Sequence, residues 1–138
     1  DGYLAIKRSN DGTLLNYNHN KAVDTGTQAI TYHTKDLDFG LPSQTKKLFK
    51  VYITYKGTPP STINYRKNGL STVYGFTATN WAAAGVDDYE IATLVPDDAD
   101  EAKGWYSMSL FIDGTAGGSG EAFEINDISI LYRARPIK

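Results

Sequence analysis

Phe123-Glu124-Ile125-Asn126-Asp127-Ile128-Ser129-Ile130-Leu131-Tyr132-Arg133 joins β-branched and aromatic residues to a two-residue alternation, and so reads as a long core strand. The alternation slips once. Phe123 and Ile125 share a face that should next take Asp127, yet the apolar series resumes at Ile128, Ile130 and Tyr132. A β-bulge at Asn126-Asp127 absorbs such a slip and keeps both halves facing one core. Pro136 follows closely, and proline cannot donate to a central ladder, so this strand is expected to end the domain.

Upstream, Leu48 to Lys56 alternates most regularly, with Phe49, Val51, Ile53 and Tyr55 on one face and Lys50, Tyr52, Thr54 and Lys56 on the other. Asn68-Gly69 between Ile63–Lys67 and Thr72–Thr77 predicts a direct hairpin, and Asp11-Gly12 predicts another between Tyr3–Arg8 and Leu14–Asn18. Ala29–Phe39 and Tyr89–Val95 read as strands. So does Trp105–Ile112, with Tyr106, Met108, Leu110 and Ile112 inward and Trp105 outward. Asn80–Asp87 is too short to stand alone as a helix. Roughly eight or nine short strands without an amphipathic helix indicate an all-β fold, an antiparallel β-sandwich of jelly-roll-like type. Residues 29–138 are expected to form the sandwich and 1–28 an N-terminal hairpin or a linker from a preceding β-region. The opening Asp1-Gly2-Tyr3 reads as the continuation of a longer polypeptide.

A chain of 138 residues suffices for one domain with its own core. Its net charge of −2 gives no global field toward nucleic acid or an anionic membrane, and no apolar run nears the ~18 residues of a membrane helix. Neither partner is expected. The chain has no cysteine, which rules out disulfides, thiolate zinc sites and cysteine nucleophiles.

The residues offer little catalytic patterning. His19 and His33 are the only histidines, and no Gly-x-Ser-x-Gly surrounds a serine, so an acyl-transfer triad is not expected. His19 reads as a solvated turn residue and His33 as a strand residue with a cross-strand partner. Asp36, Asp38, Glu90, Glu124 and Asp127 fall on predicted strands, where two could pair as glycosidase carboxylates only by chance. Asp97-Asp98-Ala99-Asp100-Glu101 lacks the spaced ligand order of a calcium loop and reads as a solvated charge run. The expectation is a non-enzymatic chain without metal or cofactor. Trp81, Trp105, Tyr65 and Tyr74 are the aromatics placed to contact a sugar or a partner, with the sandwich core as their plainer reading. Lys46, Lys47 and Lys50, and separately Arg133, Arg135 and Lys138, could meet phosphate or an acidic partner.

The block Thr34-Lys35-Asp36-Leu37-Asp38-Phe39-Gly40-x-Pro42, then Lys46 to Lys56, closing on Phe123 to Arg133, resembles the C-terminal β-domain of a group of tailed-bacteriophage virion proteins. The likeness covers about Ala29 to Lys138, with Thr58 to Gly104 undiagnostic. It implies a structural role in the tail or head–tail connector, hence a virion location and contacts with other virion proteins or copies of itself. It brings no catalytic motif. The terminal Phe-x-Ile-Asn-Asp-Ile-Ser-Ile run is also similar to the last strand of carbohydrate-binding jelly rolls, which keeps a sugar- or host-receptor-binding module as the alternative.

Overall fold

The computed structural model describes residues 4–7, 14–17, 28–60, 62–84, 88–116 and 123–136. Within them the strands are β1 (Leu4–Lys7), β2 (Leu14–Tyr17), β3 (Gln28–His33), β4 (Lys46–Lys56), β5 (Thr62–Lys67), β6 (Tyr74–Thr79), β7 (Glu90–Pro96), β8 (Lys103–Trp105), β9 (Met108–Ala116) and β10 (Glu124–Ala134). β1 and β2 pair antiparallel, Leu4 opposite Tyr17 and Lys7 opposite Leu14, as the Asp11-Gly12 signal predicts; the turn itself lies outside the described residues.

The other strands form one antiparallel sheet in the order β10-β4-β7-β6-β5-β9-β3, with β8 added to β4. The sheet doubles back at β6. Gly75 and Tyr74 pair with Asn64 and Tyr65 of β5, whereas Phe76 to Thr79 pair with Pro96 to Thr93 of β7. Two leaves, β10-β4-β7 and β5-β9-β3, therefore face each other across a core and share β6 as their corner. This is the expected all-β antiparallel sandwich, left unclosed between β10 and β3.

Alternation explains which side chains enter the core. Val51, Ile53 and Tyr55 of β4, Ala92 and Leu94 of β7, Ile63 and Tyr65 of β5, and Met108, Leu110 and Ile112 of β9 are all buried. Each large side chain so buried contributes about 1.5–3 kcal/mol. The Asn126 bulge is present: Ile125 pairs with Tyr55 and Asp127 with Thr54, leaving Asn126 unmatched. Ile125, Ile128, Ile130 and Tyr132 accordingly pack against the same core.

Three expectations need correction. β10 ends the sheet as an edge strand, and β4, which pairs with β10, β7 and β8, is the central strand of that leaf. A second register shift sets Leu131 opposite Lys50 and Tyr132 opposite Leu48, so Phe49 is the extra residue and Leu48 takes its place in the core. The Asn68-Gly69 turn forms, both residues at positive φ (55° and 66°) and closed by Leu70 N–H donating to Lys67 O at 2.9 Å. As expected, β5 and β6 then pair directly, Asn64 opposite Gly75 and Tyr65 opposite Tyr74, while the other edge of β5 runs alongside β9 as far as Lys67 opposite Met108. Finally, Trp105–Ile112 is two strands. The Asn68 side-chain oxygen accepts from Tyr106 N–H (2.7 Å) and Ser107 N–H (3.3 Å), holding the chain where it leaves β4 for the other leaf. That break resets the phase, so Trp105 points inward and Tyr106 outward, the reverse of uninterrupted alternation.

Candidate interaction face

Alternation in β10, β4 and β7 sends a second set of side chains to the outer face of that leaf. Register lays them side by side: Ser129, Tyr52 and Thr93 form one row, and Asp127, Thr54 and Ile91 the next. Ile91 (55% exposed), Leu131 (49%) and Val95 (41%) stand on this face as large exposed hydrophobics. Their presence was legible, since Ile91 and Val95 alternate with Ala92 and Leu94 and make β7 apolar on both sides. No helix or loop is needed to display such residues. A sheet face of apolar, tyrosyl and threonyl side chains suits contact with another protein.

Cations gather at one end of the face. Lys47 and Arg133 are cross-strand partners, and the Lys47 ammonium and Arg133 guanidinium lie 5.0 and 5.7 Å from the centre of the Phe49 ring. The displaced Phe49 thus serves as a platform for both. Lys47 and Arg133 sit 86 positions apart in the chain, so only the register could bring the two basic runs together. Lys46 does not join them. It is fully buried, and its ammonium donates to Leu41 O (2.7 Å), Gln44 O (3.0 Å) and Tyr106 O (2.8 Å). At the opposite end of the face, Glu124 accepts from the Tyr89 hydroxyl at 2.9 Å and pairs with Lys56 at 3.1 Å. Tyr89 first, and Lys56 with it, hold the Glu124 carboxyl below its usual value, and Glu124 in turn raises Lys56.

The four aromatics singled out from sequence lie elsewhere. Trp105 is 0% exposed, with its indole N–H donating to Ala102 O at 3.1 Å, so the outward placement expected for it is overturned by the strand break. Tyr65 is buried, stacked at 5.3 Å on half-buried Tyr74, whose other neighbour is the Lys67 ammonium. Burial, assisted by the nearby Glu101 charge, pushes the Tyr65 hydroxyl up to about 12. Trp81 is half-buried against Tyr55 and Phe123 and donates its indole N–H to Pro60 O at 2.8 Å. Trp81 and Trp105 belong to opposite ends of the core and do not form one groove with Tyr65 and Tyr74.

The remaining candidates are tied up locally. His33 lies 3.2 Å from Asp113 and against the Phe111 ring, the cross-strand arrangement expected of it; His19 is outside the described residues. Phe111 faces outward from β9 but is covered by His33 and by the Arg66 guanidinium at 3.9 Å. In the acidic loop, Asp98 accepts from the Asp100 and Glu101 amides (2.7 and 3.2 Å), Asp100 pairs with Lys103 at 2.5 Å, and Glu101 with Lys67 at 2.7 Å. The Lys103 contact holds Asp100 below the usual carboxylate value. Asp97 accepts from Thr77 at 2.7 Å, and its carboxylate crosses β6 where Gly75 has no side chain; any Cβ there would collide with it. Compared with known protein families, with curated proteins and with solved structures, the chain matches none.

Proposed function

We propose that this chain is a non-enzymatic building domain that works through protein–protein contact, set in the tail or head–tail connector of a tailed-bacteriophage virion. The observation that carries the contact role is the outer face of the β10-β4-β7 leaf, where Leu131, Tyr52, Ile91 and Val95 stand on one side of the sheet. A sugar site would instead need aromatics in a groove beside hydrogen-bonding groups, and Trp105 and Tyr65 are spent on the core. The virion setting is supported by the likeness of the Thr34–Pro42, Lys46–Lys56 and Phe123–Arg133 blocks to phage tail and connector domains.

Immunogold labelling of phage particles with antibody against the chain tests the setting, with label expected on the tail or connector. Ile91→Glu with Val95→Glu should abolish incorporation while leaving the circular dichroism spectrum unchanged. Saturable oligosaccharide binding on a glycan array, with no label on particles, would overturn the reading.

A further inference from the structure

We propose that β10 is a self-association edge, pairing antiparallel about a two-fold axis with β10 of a second copy of this chain. Among the described residues nothing pairs with the outer edge of this 11-residue strand. A long unpaired edge is a template for another strand, and the side chains along it decide which strand fits.

From Asp127 to Arg133 the strand is regular, because the bulge precedes it and the second register shift places its extra residue, Phe49, on β4. This segment is electrostatically self-complementary. Asp127 opens it and Arg133 closes it, both on the outer face. Neither forms an ion pair among the described residues: Asp127 accepts from the Ser129 hydroxyl at 2.9 Å, and Arg133 lies over Phe49. Antiparallel pairing with Ile130 on the axis sets Asp127 of each copy opposite Arg133 of the other, and Ser129 opposite Leu131. On the inner face the same register puts Ile128 opposite Tyr132, and all three inward residues, Ile128, Ile130 and Tyr132, are only half-buried in the single chain. Two ion pairs thus flank an apolar row that gains cover. A parallel arrangement, or a register centred on Ser129, loses both pairs.

The product is a continuous sheet, β7-β4-β10 joined to its symmetry mate, with the two outer faces merged into one surface. The pairing deepens the structural role proposed above and rests on that reading only for its setting, since the edge rather than the face carries it.

Sedimentation velocity over a concentration series is the test. The wild-type chain should dimerise. Arg133→Asp and Asp127→Arg should each weaken dimerisation by roughly tenfold or more, and the double exchange Asp127→Arg/Arg133→Asp should restore it. In a chain without cysteine, Ser129→Cys/Leu131→Cys should yield a disulfide-linked dimer on oxidation, at substitution sites on the solvent side that leave the core intact. A wild-type monomer at the highest soluble concentration, or a dimer indifferent to Arg133→Asp, would overturn the pairing. If the chain is monomeric while Ile91→Glu/Val95→Glu still abolishes incorporation into particles, the pairing alone falls and the contact role stands.

Discussion

The Lys46 ammonium donates to the carbonyl oxygen of Tyr106 at 2.8 Å, across 60 positions of sequence. With Leu41 O and Gln44 O taking its other two donors, one buried cation satisfies three backbone acceptors and pins the 41–46 turn to the gap between β8 and β9. Burial lowers its pKa, and Asp38 acts in the opposite direction.

Lys46→Met keeps the stem volume and removes all three donors. Leu41 O keeps the Gln44 N–H at 3.2 Å, whereas Gln44 O and Tyr106 O are stranded at about 1–3 kcal/mol each, so the variant should lose about 2 kcal/mol or more in denaturant unfolding. A loss under about 1 kcal/mol would mean that water reaches those carbonyls and that the cage is unnecessary.

Trp105→Ala should fail as a binding-site probe because it empties the core, with an expected loss of about 3–5 kcal/mol. Trp81→Ala, at a half-buried site, should cost less. Equal melting temperatures for Trp105→Ala and the wild type would contradict the inward placement of the indole.

Deleting Asn126 removes the one residue of the bulge that has no partner on β4, and leaves Ile125 opposite Tyr55 and Asp127 opposite Thr54 in unbroken alternation. Ile125, Ile128, Ile130 and Tyr132 then keep their places against the core, and Glu124 stays outward. The expected result is a chain that remains folded, with a wild-type circular dichroism spectrum. A deletion variant that is unfolded would mean that Asn126 is not the extra residue.

Glu124 makes stability pH-dependent on the acid side. Its folded-state pKa lies below the ordinary value of 4.5, so the folded state binds its proton less readily than the unfolded chain. The contribution is present above pH 4.5 and is lost as pH falls through the folded-state value. A melting-temperature difference between wild type and Glu124→Gln should therefore be seen at neutral pH and disappear in acid. Tyr89→Phe should shrink it, since the tyrosyl hydroxyl is the larger cause. A difference that persists unchanged to low pH would rule out the carboxylate.

The sandwich and the Asn126 bulge were readable because both follow from two-residue alternation, a local property. What alternation could not show was where it stops applying. Phe49 is apolar and in phase, yet the register against Leu131 and Tyr132 ejects it, and Leu48 replaces it. Trp105 was misplaced because the Asn68 side chain, 38 positions from the Tyr106 amide that it holds, ends one strand and begins another. The contact face was half visible. Ile91 and Val95 announce themselves by making β7 apolar on both sides, but the meeting of Lys47 with Arg133 exists only once β4 and β10 are paired.

The shared strand β6 gives the molecule the mechanics of a bound book. Its backbone is the spine, hydrogen-bonded to β5 through one half and to β7 through the other, so the two covers cannot slide past each other without tearing that ladder. The low-energy deformation left is hinging, widest at the fore-edge where β10 and β3 face each other unjoined. The β6 amide protons bonded into β5 or β7 should accordingly exchange late, and those of β10 and β3 first. A neighbour that clamps β10 would close the book, slowing exchange at the fore-edge while leaving the spine as it was.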